Sequence, residues 1–174
     1  MKKLILAIAV TLLTIVSYNQ PASAQNQDAI VAFQPVYQSY FALKDALVAS
    51  DGKAAQSAAE SLYKNIAAVP MDKLGSSHTV WMNLQSKLNF DAEYMKGTNN
   101  IGNHREHFIS LSENMYELMK VAKYGKTVYY QHCPMYNKKK GGANWLSLDK
   151  VIKNPYFGSK MLTCGSVQET INNK

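Results

Sequence analysis

Residues 101–122, IGNHREHFISLSENMYELMKVA, decide the fold. Ile101, His104, Phe108, Leu111, Met115, Leu118 and Ala122 recur in steps of three and four, which lines apolar side chains along one stripe of an α-helix. Gly125 follows as a C-terminal stop, since a left-handed cap favours glycine. Such a stripe has to be buried against other helices.

The upstream chain supplies three of them. Residues 28–50 carry Ile30, Phe33, Tyr37, Tyr40, Phe41, Leu43, Leu47 and Val48 at helical spacing, with Pro35 in the second turn delaying or kinking the start. Asp51 caps an alanine-rich second helix that must stop before Pro70, with Ala54, Ala58, Leu62 and Ile66 as its expected buried face. Ser76 or Ser77 opens a third, carrying Val80, Trp81, Leu84, Leu88 and Met95, and Gly97 stops it. Met82, Met95, Met115 and Met119, at helical positions, read as core filler. Short connections favour antiparallel neighbours, so the expected fold is mainly α: an up-and-down four-helix bundle. Beyond Gly125 the pattern changes to a small irregular or β lobe. Thr127-Val128-Tyr129-Tyr130 is β-prone, and Pro134, Gly141-Gly142, Asn154-Pro155 and Gly158 mark turns. Packing of Tyr129, Tyr130, Trp145, Leu146, Tyr156 and Phe157 against the bundle would hold this lobe, as would a disulfide or a metal joining Cys133 to Cys164.

Residues 1–24 read as a secretory signal peptide: Lys2-Lys3, an apolar run from Leu4 to Val16, and Ala22-Ser23-Ala24 as the cleavage site. The apolar run is shorter than the roughly 20 residues that span a bilayer. The expected product is residues 25–174, a soluble periplasmic domain with a bundle over 25–125 and a lobe over 126–174, and with no transmembrane segment after processing. Charge is unevenly spread. Residues 25–119 hold seven basic and ten acidic side chains, whereas residues 120–174 hold ten lysines against Asp149 and Glu169. The run Lys138-Lys139-Lys140 reads first as a solvated loop and second as a docking element for an acidic partner or a membrane surface. Export argues against nucleic acid.

The chain has two cysteines, each with a methionine within three residues: His132-Cys133-Pro134-Met135 and Met161-Leu162-Thr163-Cys164. Thiolate, thioether and imidazole form the donor set selected by soft ions such as Cu(I). In an extended segment Cys133 and Met135 share a face and His132 points away; in a helical turn Met161 and Cys164 share a face. Pairing of the cysteines as a disulfide in an oxidising compartment is the competing reading. His104 and His107, three residues apart on the fourth helix, read first as packed or hydrogen-bonded residues and then as ligands, with zinc on His104, His107, Cys133 and Cys164 as a variant. The sequence has no Gly-x-Ser-x-Gly elbow, phosphate-binding glycine loop or His-Glu-x-x-His helix, so binding is expected and not catalysis.

Three segments carry a family resemblance: Tyr129-Tyr130-Gln131-His132-Cys133-Pro134-Met135, then Gly142-Ala143-Asn144-Trp145-Leu146-Ser147, then Ile152 to Gly165. With Arg105-Glu106-His107-Phe108 and Leu111-Ser112 before them, they resemble the bacterial domain of unknown function 3347. Members of that family are exported helical domains, found alone in Bacteroidetes-type bacteria or fused to periplasmic adaptors of copper and silver efflux pumps. The Cys-Pro-Met core is also similar to that of short heavy-metal-binding domains on the same pumps. The resemblance implies a heavy-metal role with His132, Cys133, Met135, Met161 and Cys164 as the positions carried over. The triple-lysine loop departs from the family by being longer and more basic. The expectation is a periplasmic protein that buffers Cu(I), or Ag(I) or Zn²⁺, or hands it to an efflux adaptor. His107 is a further candidate ligand, and a disulfide-stapled interaction module without metal is the alternative.

Overall fold

The computed structural model describes residues 22–172. All but the last three residues of the expected signal peptide lie outside that range. Four helices, α1 (Ala22–Ala49), α2 (Gly52–Ala67), α3 (His78–Lys96) and α4 (Ile101–Val121), precede three strands, β1 (Val128–Cys133), β2 (Ala143–Ser147) and β3 (Ser166–Ile171). The fold is mainly α, four helices with a small three-stranded antiparallel sheet.

Helices α2 and α4 begin at side-chain caps. Asp51 accepts from the Ala54 N–H at 2.9 Å, and Asn100 accepts from Gly102 and Asn103 at the start of α4. A side-chain cap of this kind is worth about 1 kcal/mol. Ser77 precedes α3 but makes no cap bond; its hydroxyl donates to Val121 O, and a 3₁₀ turn over Gly75–Ser77 leads into the helix instead. Helix α1 runs through Pro35. The Pro35 carbonyl accepts from Ser39 Oγ and Asn65 Nδ2, the latter tying α1 to α2.

Helices α2, α3 and α4 bury the expected stripes with two adjustments. On α2 the buried alanines are Ala55 and Ala59, whereas Ala54 is exposed and Ala58 only half-buried. Spacings of four, three and four to Leu62 and Ile66 follow the true helical period better than a strict run of fours. Met82 is 52% exposed while Met95, Met115 and Met119 are fully buried, because Met82 follows Trp81 and points off its face. Helix α4 ends with Ala122 as its cap residue. Gly125 lies further out, at φ +87 in the connection to β1, so it serves the turn and not the helix end.

The lobe is more regular than its turn-rich sequence suggests. Strand order is β2-β1-β3, all antiparallel, with a bulge in the β1–β3 pairing between Tyr130 and Gln131. Trp145, Leu146 and Tyr156 are buried in one continuous core with the bundle; Tyr129, Tyr130 and Phe157 are half-buried. Polar pins join the two parts. The Leu146 N–H donates to Tyr40 Oη at 3.0 Å, and Tyr40 also shares a hydrogen bond with Ser112. Arg105 on α4 donates through Nε to Pro155 O and through Nη2 to Leu47 O and Ser50 Oγ. Gly158, at φ +58, packs so close that a Cβ would lie 2.4 Å from Ser50 Oγ. Only glycine fits there.

Candidate metal centre

Cys133 is the last residue of β1 and Cys164 lies in the turn that enters β3. Their Sγ atoms are 3.0 Å apart, Cys133 fully buried and Cys164 half-buried. Both are free thiols. Antiparallel pairing makes this contact: His132 opposes Ser166, so the residues on either side of that rung, Cys133 and the 164–165 turn, meet. Gly165, at φ +141, brings its backbone against the His132 carbonyl, where a Cβ would be only 2.6 Å away.

Asn154 binds the turn in place. It is fully buried, donates through Nδ2 to the Cys164 carbonyl at 2.7 Å, and accepts on Oδ1 from the N–H groups of Tyr156 and Phe157. Its own N–H donates to Leu162 O. Burial alone pushes the Cys133 thiol up. Hydrogen bonds from the Cys164 thiol, the Tyr136 and Met135 N–H groups and the Asn154 amide outweigh it and leave Cys133 below an ordinary thiol. Cys164 is pushed up to about 11, first by donating to Cys133, then by burial and the neighbouring negative charge. Cys133 is therefore the more acidic member of the pair. A turn whose N–H groups converge on one sulfur favours its anionic form, the form that binds metal and attacks disulfides.

The other expected residues are placed as follows. Met135 and Met161, two and three residues from the cysteines in the chain, are 48% and 37% exposed. His132 is half-buried beside Gly142, and its Nδ1 pairs with Asn144 Oδ1 on β2 at 2.8 Å. His107 faces α3, where its Nδ1 pairs with the buried Asp91 at 2.9 Å and its ring stacks on Tyr94. His104 is fully buried and shares its Nε2 between the carbonyls of Met95 and Thr98, closing the C-terminal end of α3. Among the described residues no group of three or more His, Cys, Asp and Glu side chains converges as a metal cage.

Asn154 is the residue that sequence reasoning missed as part of the site. Asn154-Pro155 was legible as a turn signal, but its carbonyl partner ten residues away was not. The model of the family described as Protein of unknown function (DUF3347) matches residues 36–127. The matched stretch begins within α1 and ends one residue before β1, so it covers the rest of the helical part and not the sulfur pair. No curated protein and no solved structure matches the chain.

Proposed function

The chain belongs to the DUF3347 family, and from that premise we propose that it is a periplasmic protein holding one Cu(I) on Cys133 and Cys164, which it buffers or passes to an efflux system. The observation that carries this reading is the contact of two thiol sulfurs at 3.0 Å, one fully buried and one half-buried, with exposed methionines two and three residues away in the chain. Sulfur donors select soft monovalent ions, whereas a closed zinc site wants four ligands. Two sulfurs meet the smaller demand.

A disulfide closes to about 2.05 Å. Two metal–thiolate bonds of roughly 2.3 Å each place their sulfurs about 4 Å apart. At 3.0 Å the two sulfurs are near enough for either product to form between them. Residues 159–163 of the turn that carries Cys164 are exposed. Exchange of the ion would start at Cys164 and the thioethers of Met135 and Met161, the donors an incoming ligand can reach.

The same short contact favours one second reading, a structural disulfide formed on export. Anaerobic titration of the reduced protein with Cu(I), with a thiol count before and after, separates the two. One equivalent bound with sulfur scatterers in the copper X-ray absorption edge is the expected result. A thiol count of zero in freshly isolated protein, with no copper uptake after reduction, would overturn the metal reading in favour of the disulfide.

A further inference from the structure

Two turns close the same end of the sheet around the sulfur pair. Cys133 opposes Ala143 on β2 and His132 opposes Ser166 on β3, so the β1–β2 turn, residues 134–142, and residues 159–165 ahead of β3 lie side by side. Together they carry Lys138, Lys139, Lys140 and Lys160 and no Asp or Glu. All four lysines are exposed. Among them Met135, Met161 and Leu162 are 48%, 37% and 40% exposed, aliphatic side chains left in water at a cationic tip.

Charge is unevenly spread along the chain. Residues 25–119 sum to −3 (seven basic, ten acidic) and residues 120–174 to +8 (ten basic, two acidic). Of those ten basic residues, Lys138, Lys139, Lys140 and Lys160 stand on the tip, and that cluster is what attracts an anionic surface.

Composition distinguishes a lipid surface from a protein one. Protein interfaces are enriched in arginine and aromatic residues and depleted in lysine. The tip has no arginine, and its one aromatic, Tyr136, is stacked on Tyr156 with centroids 4.6 Å apart. Clustered lysines with aliphatic side chains between them are suited to headgroup phosphates above an acyl boundary.

We propose that the tip formed by residues 134–142 and 159–165 docks on an anionic bilayer surface, its lysines on the phosphates and Met135, Met161 and Leu162 in the interfacial zone. Cys164 lies within that tip, so the sulfur pair opens toward the membrane. The docking does not depend on what the pair binds.

The test is vesicle flotation with the chain from Gln25, which keeps every core residue from Ala29 to Ile171. Vesicles of phosphatidylcholine containing phosphatidylglycerol are compared with phosphatidylcholine alone, and with soluble polyglutamate as an acidic polypeptide. Each lysine near an anionic leaflet adds roughly fivefold to binding, so Lys138→Gln, Lys139→Gln and Lys140→Gln combined should weaken it on the order of a hundredfold. Met161→Ser with Leu162→Ser should weaken it severalfold at salt high enough to screen the lysines. Lys73→Gln with Lys87→Gln, exposed on the bundle, should leave it unchanged. Equal binding to both kinds of vesicle, unchanged binding by the triple variant, or binding to polyglutamate without binding to vesicles would each overturn the proposal. Circular dichroism of each variant establishes that the fold is intact.

Discussion

Asn154 Nδ2 donates to the Cys164 carbonyl across 2.7 Å, and the same amide faces the Cys133 sulfur, so one buried side chain holds both halves of the pair. Asn154→Asp keeps the oxygen that accepts from Tyr156 and Phe157 and removes the donor. The 154–158 turn should persist while the Cys164 carbonyl loses its partner, a loss of about 1–3 kcal/mol. Asn154→Ala loses the turn bonds as well and should cost more. Thermal melts of reduced protein with and without Cu(I) check both, and the stabilisation by copper should shrink already in Asn154→Asp.

Cys133→Ser and Cys164→Ser should each abolish most of the Cu(I) affinity, while Met135→Leu and Met161→Leu lower it less, because neutral thioethers bind more weakly than thiolates. Leucine matches methionine in volume, and both positions are exposed, so the fold should survive. Competition with a chromophoric Cu(I) chelator gives the order. Equal affinities for wild type and both cysteine variants would remove the site.

Arg105→Lys should loosen the lobe from the bundle. The guanidinium serves Pro155 O, Leu47 O and Ser50 Oγ at 2.9, 3.1 and 2.8 Å, a forked geometry that an ammonium cannot reproduce. Leaving two of these acceptors unpaired should cost about 2 kcal/mol in urea unfolding. Hydrogen exchange should rise first around residues 154–158, before it rises in α2 or α3. A uniform rise along the chain would deny Arg105 this local role.

Asp91 should give stability a measurable acid dependence. Burial raises its carboxyl above the usual range, and hydrogen bonds from His107 and Ser110 and the His107 charge only partly offset this. A carboxyl raised on folding binds protons more readily in the native state. Its contribution is therefore most favourable below the unfolded value of about 3.9 and is lost as pH rises through the raised native value. Asp91→Asn should flatten that part of the stability curve. The groove it floors, lined also by Ser86, Lys87, Phe90 and Asn114, has a volume of about 420 Å³ and stays open to solvent. An unchanged slope in the variant would mean that other carboxylates carry the dependence.

The helical half of the molecule was legible because its information is local. Steps of three and four along α4, the Asp51 cap and the Pro70 stop act within a few residues, so periodicity and capping rules recover them directly. The phase of α2 was missed by one position at Ala54 and Ala58 because alanine carries too little apolar area to mark a face. The identity of the two cysteines, and the alternation that sets Cys133 apart from His132 on β1, were likewise readable in the chain. Tertiary structure alone decided that thirty-one residues of separation close to a 3.0 Å contact. That contact depends on the register of β1 with β3, on Gly165 letting two backbones approach, and on Asn154 and Arg105 reaching partners in other elements. Each pairs residues ten or more positions apart, and no local pattern in the sequence encodes the distance between its ends.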